Sequence, residues 1–103
     1  LKVPPAIAAG NVIVLKPSVE TPLATVAFAK LCLEAGLPPG AVNVVTGPGS
    51  RAGNALVAHP AVKKISFTGS TAVGRAIQKL AVENMKAVNL ECGGKNAIIV
   101  FDD

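Results

Sequence analysis

Short apolar runs alternate with helical segments along the whole chain, and this alternation constrains the fold more than any other feature of the sequence. Five runs are predicted to be strands: residues 11–16, 42–46, 64–68, 87–91 and 97–101. Strands that alternate with helices form right-handed crossovers and a parallel sheet buried on both faces. We therefore predict a three-layer, Rossmann-like α/β fold, a mostly parallel sheet with helices on both faces.

Three helices are predicted from residues that start and stop a helix. The first begins with Thr21 as N-cap and Pro22 in the first turn, and it ends at Gly36. Its predicted apolar face consists of Ala24, Ala27, Phe28, Leu31 and Ala35. A second, short helix ends before Pro60 and carries Ala52, Ala55 and Leu56. The third follows a cap at Ser70, and its predicted apolar face is Val73, Ala76, Ile77, Leu80 and Ala81.

The composition limits the classes of function. The 103 residues, of which 50% are hydrophobic, suit a single domain or part of one. No apolar run is long enough to cross a bilayer and no signal peptide is recognisable, so we expect no membrane partner. The basic residues are dispersed and the three aromatic residues are all Phe, which argues against a nucleic-acid partner. The net charge of +4 suits an anionic small ligand.

The two cysteines give no sign of a metal site. Cys32 and Cys92 form no CxxC pair, so neither a zinc site nor a redox motif is predicted, and reduced thiols and a cytoplasmic location are expected. His59, the only histidine, precedes Pro60 at no recognisable spacing from a cysteine, which leaves a catalytic Cys/His pair without support. We expect both thiols to be packed and His59 to lie in a solvated loop.

The predicted topology indicates where a ligand would bind. In open α/β sheets the ligand lies beyond the carboxyl ends of the strands. Four features follow strands in this sequence and are expected at one edge: Lys16, the loop 47–53, the turn 68–70 and Glu91.

The loop after the second strand contains three spaced glycines. Gly47, Gly49 and Gly53 give G-x-G-x-x-x-G, one residue longer than the usual dinucleotide fingerprint. Glycines in such a turn either admit a phosphate or only relieve backbone strain, and the spacing alone does not separate these two interpretations.

The turn Thr68–Thr71 joins the third strand to the third helix. Its hydroxyl groups lie where a helix exposes free amide groups, which favours an anion site, although Ser70 as an ordinary N-cap explains the residue equally well. The segment Gly69–Gly74 has the glycine spacing of a P-loop, but Arg75 and Ala76 replace the required Lys and Ser or Thr. A nucleotide triphosphatase is therefore excluded.

Glu91 ends an apolar strand and is followed by Cys-Gly-Gly-Lys. We expect apolar surroundings for its carboxylate, which would suit a general base. The alternative is a plain ion pair with Lys95.

Several ordered motifs resemble the aldehyde dehydrogenase superfamily. They are GNVIVLKPSVETPL from Gly10, LEAGLPPGAVNVVTG from Leu33, FTGSTAVG from Phe67 and LECGGKNAIIV from Leu90. The resemblance covers essentially the whole chain. It implies that residues 1–103 are a single segment of a dinucleotide-binding domain, incomplete by itself, in an enzyme that oxidises an aldehyde substrate to a carboxylic acid with NAD or NADP.

The resemblance also assigns roles to residues. It implies that Lys16 hydrogen-bonds the adenosine ribose and that Ser70 and the following helix contact the pyrophosphate. It places the adenine beside Gly49, Gly53 and Val73. The remaining implied cofactor contacts are Ser18, Val19, Thr68, Gly69, Gly74 and the backbone of Cys92, where the family usually has Leu.

Two further implications concern catalysis and cofactor choice. Glu91 matches the glutamate that activates the deacylating water, which favours acid-forming members of the family. The family often has a ribose-binding glutamate where this sequence has Val19. A carboxylate at that position would repel a 2′-phosphate, so we predict that NADP is accepted, unless a small register change brings Glu20 to the same place.

The family's nucleophilic cysteine lies downstream of Asp103, and its oxyanion-stabilising asparagine lies ahead of Leu1. We therefore predict that these 103 residues alone have no aldehyde dehydrogenase activity. The rival hypothesis is a non-catalytic module that binds a dinucleotide or self-associates. Apolar faces and strand edges of an incomplete sheet favour self-association, and a homo-oligomer is expected.

Overall fold

The computed structural model describes residues 2–102, which form two compact units that meet in sequence at His59 and Pro60. The first unit contains, in order, α1 (Val3–Ala8), β1 (Ile13–Leu15), α2 (Pro22–Glu34), β2 (Val42–Val44), a π-helical turn (Gly49–Gly53) and α3 (Asn54–Ala58). The second contains β3 (Lys64–Gly69), α4 (Thr71–Val82) and β4 (Ala87–Cys92).

In the first unit, β1 and β2 form a parallel two-stranded sheet. Ile13 lies opposite Val42 and Leu15 opposite Val44. Backbone pairing continues past the strand ends, because the N–H of Val45 donates to the carbonyl oxygen of Leu15 at 2.9 Å. Both strands are shorter than the predicted runs, and their carboxyl ends lead to the Lys16 and Gly47 segments.

Helix α1 was not predicted from the sequence. Pro4 and Pro5 stand in its first turn, where a missing N–H group costs no intrahelical hydrogen bond. The helix is closed by Gly10, which has a φ of +75° and donates to the carbonyl oxygen of Ile7 at 2.8 Å. A left-handed glycine commonly ends a helix. Gly10 is therefore a helix-stop signal in the sequence, although the spacing of apolar residues does not indicate this helix.

Helix α2 begins at Pro22 as predicted, but it packs through a different face. Its half-buried residues are Pro22, Thr25, Val26, Ala29 and Cys32. The predicted face is exposed: Ala24, Ala27, Phe28, Leu31 and Ala35. Apolar residues surround this helix, so helical spacing fits more than one face and cannot select the packed one.

In the second unit, β3 and β4 form a parallel sheet whose two faces differ. One face is half-buried and carries Ile65, Phe67, Val88, Leu90 and Cys92. The other face is exposed and carries Lys64, Ser66, Thr68, Asn89 and Glu91. The expectation of a sheet buried on both faces is therefore wrong for this pair of strands, which follows the period-two alternation of a half-covered sheet.

Helix α4 begins at its predicted cap, Ser70. Three residues of the predicted apolar face, Ile77, Leu80 and Ala81, are at least half-buried. Val73 and Ala76 are exposed instead, and Gly74 is buried in their place. The packed face is thus rotated toward Gly74, which lets the helix approach the sheet closely.

Residues 97–101 do not form the predicted strand. Ile98 is 89% exposed and Phe101 is 76% exposed, and neither belongs to a helix or strand. A strand requires a hydrogen-bonded neighbour, and no strand of residues 2–102 pairs with this segment.

The α/β class and the parallel pairing are confirmed. The four strands form two separate two-stranded sheets, β1 with β2 and β3 with β4. Fully buried apolar side chains are few among the described residues: Val57 in the first unit and Ala81 in the second. Within residues 2–102, no helix combines the length and the hydropathy that a bilayer span requires.

Candidate functional site

Lys16 connects the end of β1 to the loop that follows β2. Its Nζ donates hydrogen bonds to the carbonyl oxygens of Pro17 and Gly47, the latter at 3.3 Å. The aliphatic stem passes close to Gly53, since a Cβ on that glycine would lie 3.6 Å from Lys16 Cδ. The first unit therefore brings together Lys16 and the 47–53 loop, as predicted for these two features.

The glycine loop adopts a π-helical turn over Gly49–Gly53. The N–H of Asn54 donates to the carbonyl oxygen of Gly49, five residues earlier, which is the π-helical spacing. A π-helical turn holds one residue more than an α-helical turn. The additional residue in the G-x-G-x-x-x-G spacing is thus accommodated by a wider turn.

The three glycines of this loop have different surroundings. Gly47 has a φ of +140°, and a Cβ there would lie 3.2 Å from that of Ala52, so this glycine relieves backbone strain. At Gly49 a Cβ would meet nothing within 4 Å, so the loop leaves open space beside this residue. Gly53 has ordinary helical angles, with φ −63° and ψ −51°, and needs no glycine for conformational reasons.

The segment after Lys16 is exposed at Ser18, Val19 and Glu20. The Oγ of Ser18 accepts a hydrogen bond from the N–H of Glu20 at 3.3 Å. Val19 is 54% exposed. Its side chain is therefore accessible to a ligand beyond β1, which the predicted ribose position requires.

Ser70 caps α4 in the second unit. Its Oγ accepts from the N–H of Val73 at 3.3 Å, and its carbonyl oxygen accepts from the N–H of Gly74 at 2.9 Å. The N-cap interpretation of Ser70 is correct. An anion contact by the amide groups of this first turn remains a prediction from the resemblance.

Two glycines of this region lie against neighbouring side chains. A Cβ on Gly69 would lie 2.5 Å from Phe67 Cζ, so the Phe67 ring lies beside this exposed glycine. A Cβ on Gly74 would lie 2.7 Å from Cys92 Sγ. Phe67 was not among the predicted site residues, although a residue two positions before Gly69 on a strand shares its face.

Glu91 lies at the carboxyl end of β4, opposite Thr68 of β3. The expectation of apolar surroundings is wrong, because Glu91 is exposed on the polar face of the sheet. Its neighbours Leu90 and Cys92 point to the other face, toward α4, since successive side chains of a strand alternate. Among residues 2–102, no ion pair joins Glu91 to Lys95. The second unit therefore brings together Thr68, Ser70, Gly74, Glu91 and Cys92.

The two thiols and the histidine differ in burial. Cys32 and Cys92 are both free and half-buried, as packed thiols. His59 is exposed at the end of α3. In the described part of the chain, no three His, Cys, Asp or Glu side chains cluster as metal ligands.

Comparison with known proteins agrees with these features. The sequence model of the aldehyde dehydrogenase family matches residues 1–103. Phenylacetaldehyde dehydrogenase of Pseudomonas fluorescens is 57% identical over 99% of this chain, which covers 20% of that enzyme. The chain spans about a fifth of the length of the relatives it matches.

Two solved structures share both sequence and fold. The crystal structure of PnpE in complex with nicotinamide adenine dinucleotide is 55% identical, with a TM-score of 0.90 over 99% of this chain and 21% of PnpE. The NADP-dependent enzyme of E. coli is 47% identical, with a TM-score of 0.87 over 90% of this chain and 19% of that enzyme. On the match along its whole length and on these structural neighbours, the chain belongs to the aldehyde dehydrogenase family.

Proposed function

We propose that this chain is the cofactor-binding part of an NAD(P)-dependent aldehyde dehydrogenase that converts an aldehyde to a carboxylic acid. The observation that carries the proposal is the position of Glu91. It stands opposite Thr68, exposed, where β3 and β4 end. Ligands of α/β sheets bind beyond this end of the strands, so a carboxylate here is available to a bound substrate.

Glu91 acts as the general base of the hydrolytic step. In the family's chemistry a cysteine thiolate adds to the aldehyde, and loss of hydride leaves a thioester. Glu91 takes a proton from water as the water oxygen bonds to the thioester carbon, and cleavage of the carbon–sulfur bond then releases the acid and the thiolate. Exposure of the carboxylate suits this role, because the base must reach a water molecule.

The residues around Lys16 fit the adenosine half of a dinucleotide. Gly49 borders open space, and Gly53 has no side chain that would lie against the aliphatic stem of Lys16. The ammonium group holds two carbonyl oxygens of the same region and supplies the positive charge near the ribose. In the second unit, the first turn of α4 offers backbone N–H groups to the pyrophosphate. The bound cofactor supplies the hydride acceptor.

We further propose that NADP is accepted as well as NAD. Val19 places an uncharged, exposed side chain where the family often has a glutamate. The absence of a carboxylate at this position removes a repulsion toward a 2′-phosphate, and Lys16 adds a favourable charge. The similarity to both an NAD complex and an NADP-dependent enzyme is compatible with either cofactor.

The test uses the complete polypeptide in which these residues occur. We expect aldehyde-dependent formation of NADH or NADPH. In Glu91→Gln the rapid first turnover should remain, while the steady-state rate falls about 100-fold or more because general-base catalysis is lost. Glu83→Gln, which alters an exposed carboxylate at the end of α4, is the matched control. No aldehyde-dependent reduction, or equal steady-state rates in Glu91→Gln and Glu83→Gln, would contradict the proposal.

A second candidate function is a non-catalytic, self-associating module. The observation that favours it is the exposed apolar surface of α2, where Leu23 is 82% exposed and Leu31 is 60% exposed. Apolar surface of this kind favours association. Light scattering on the 103-residue chain separates the cases: a monodisperse monomer would contradict self-association.

A further inference from the structure

Helix α4 lies close to β4 where Gly74 faces Cys92. Gly74 is buried, and a Cβ on it would lie 2.7 Å from Cys92 Sγ, a distance that two such atoms do not tolerate. The same Cβ would lie 3.6 Å from Leu90 Cδ1, which is an ordinary van der Waals contact. The sulfur atom of Cys92 therefore limits how near the helix comes to the strand.

This contact belongs to the turn that caps the helix. The N–H of Gly74 donates to the carbonyl oxygen of Ser70 at 2.9 Å, and the N–H of Val73 donates to Ser70 Oγ at 3.3 Å. Ser70 and Gly74 thus close one hydrogen-bonded turn. A displacement of Gly74 moves this turn, including the amide groups that the helix N-terminus leaves without intrahelical partners.

The residue after Cys92 lies near the same turn. Gly93 has a φ of +71°, and a Cβ on it would lie 4.0 Å from Thr71 Oγ1. The chain therefore leaves β4 along the first turn of α4. Because Glu91 immediately precedes Cys92, these contacts fix the strand end that carries Glu91 against the turn that begins the helix.

We propose that Cys92 is a positioning residue whose sulfur atom sets the distance between the first turn of α4 and β4. In this position the turn directs its N–H groups at the cofactor pyrophosphate. Hydrogen bonds from N–H groups to a charged oxygen weaken steeply as the geometry departs from linear. This inference rests on the proposed function, and it concerns the Cys92 side chain, which differs in size from the leucine usual in the family.

The test compares three variants of the complete polypeptide. Gly74→Ala places a methyl group against Cys92 Sγ. Gly74→Ala with Cys92→Ala removes the sulfur atom. Gly74→Ala with Leu90→Ala is the matched control, because Leu90 Cδ1 would lie at an ordinary distance from the new methyl group. Affinities for NAD, for NADP and for adenosine, which lacks the pyrophosphate, are measured by calorimetry and by ligand-observed NMR.

We expect Gly74→Ala to weaken NAD and NADP binding about tenfold or more, the loss of one hydrogen bond to a charged group. Adenosine affinity should fall less than dinucleotide affinity, because adenosine lacks the pyrophosphate and keeps the predicted contacts at Gly49 and Gly53, which lie outside α4. Cys92→Ala should restore most of the dinucleotide affinity, and Leu90→Ala should not.

Other outcomes overturn the inference. Unchanged dinucleotide affinity in Gly74→Ala, equal losses for adenosine and dinucleotide, or equal rescue by Leu90→Ala would each contradict it. If Gly74→Ala does not fold, Cys92→Val tests the same contact by adding a methyl group to the strand side, and it should weaken dinucleotide binding more than adenosine binding. A wild-type polypeptide that binds neither dinucleotide overturns the proposed function itself, and that result is distinct from these.

Discussion

The Nζ of Lys16 lies 3.3 Å from the carbonyl oxygen of Gly47 and donates a hydrogen bond to it. The bond joins two segments that are 31 residues apart in sequence, the end of β1 and the loop after β2. Lys16 is half-buried, so this ammonium group is partly withdrawn from water. The lysine expected to bind a ribose therefore also stabilises the loop that borders the same region.

Lys16→Met should lower the stability of the 103-residue chain. The substitution keeps an unbranched stem of similar length but removes the donor to Gly47. A hydrogen bond from a charged donor contributes about 1.5–3 kcal/mol. Because Lys16 is partly exposed, we expect the free energy of unfolding to fall by about 1 kcal/mol. Urea unfolding measures it, with Lys30→Met on exposed α2 as control. Equal midpoints for the two variants would show that the bond does not stabilise the loop.

Gly47→Ala and Gly53→Ala should change stability in opposite directions. At Gly47 the φ of +140° and the 3.2 Å approach to Ala52 Cβ make alanine strained. Gly53 has helical angles and room for a methyl group. We expect a loss of about 1–3 kcal/mol at Gly47 and a gain of about 0.4–1 kcal/mol at Gly53.

The two glycine variants also separate structural from ligand-binding roles. If the adenine lies beside Gly53, Gly53→Ala should weaken dinucleotide binding by the complete polypeptide although it stabilises the fold. Thermal unfolding and calorimetric titration of the same samples make the comparison. A stabilised variant with wild-type affinity would exclude Gly53 from the adenine site.

The sequence predicted the parts of the fold that depend on local chemistry. Pro22 and Ser70 begin helices as expected, because an N-cap or a first-turn proline acts within one turn. The packed face of α2 could not be predicted, since apolar residues surround the helix and only its tertiary neighbours select Val26 over Phe28. The segment 97–101 has the composition of a strand but no partner strand within residues 2–102.

The candidate site also combines features that local sequence predicts with features that depend on tertiary packing. The placement of Lys16 and Glu91 at the carboxyl ends of strands followed from the predicted strand bounds, and their contacts with a ligand stay a prediction. The exposure of Glu91 was also readable, because Asn89 and Glu91 alternate with Val88, Leu90 and Cys92. The contact between Gly74 and Cys92 was not, since it depends on how α4 lies on the sheet and no local pattern specifies that distance.

Ser70→Asp should separate helix capping from anion binding. Aspartate caps as well as serine, and its negative charge is favourable at a helix N-terminus, so the free energy of unfolding of the chain should change by less than about 0.5 kcal/mol. Ser70→Ala should cost about 1 kcal/mol because the bond to the Val73 N–H is lost.

The same pair of variants tests the pyrophosphate contact. A carboxylate at Ser70 would repel the pyrophosphate, so Ser70→Asp should weaken NAD binding about tenfold or more. Ser70→Ala should weaken it less, although it is the less stable variant. Isothermal titration of the complete polypeptide measures both, and the reverse order of affinities would remove Ser70 from the pyrophosphate site.

Val19→Glu should shift cofactor preference from NADP toward NAD. The new carboxylate accepts hydrogen bonds from the ribose hydroxyl groups of NAD, but it repels the 2′-phosphate of NADP. At 4 Å and an effective dielectric constant near 20, two like charges repel by about 4 kcal/mol, and the 54% exposure of Val19 screens much of this. A residual penalty of about 1.4 kcal/mol lowers the ratio of kcat/KM for NADP to that for NAD about tenfold.

Two controls assign the effect to charge at this position. Val19→Gln has the size and polarity of glutamate without the charge, and it should leave the cofactor ratio within about threefold of wild type, because no like-charge repulsion is introduced. Glu20→Gln removes the neighbouring carboxylate and tests whether that residue, whose N–H is bonded to Ser18 Oγ, already discriminates against NADP. A strong NAD preference in the wild type that Glu20→Gln abolishes would assign cofactor selection to Glu20, and the proposed role of Val19 would then be wrong.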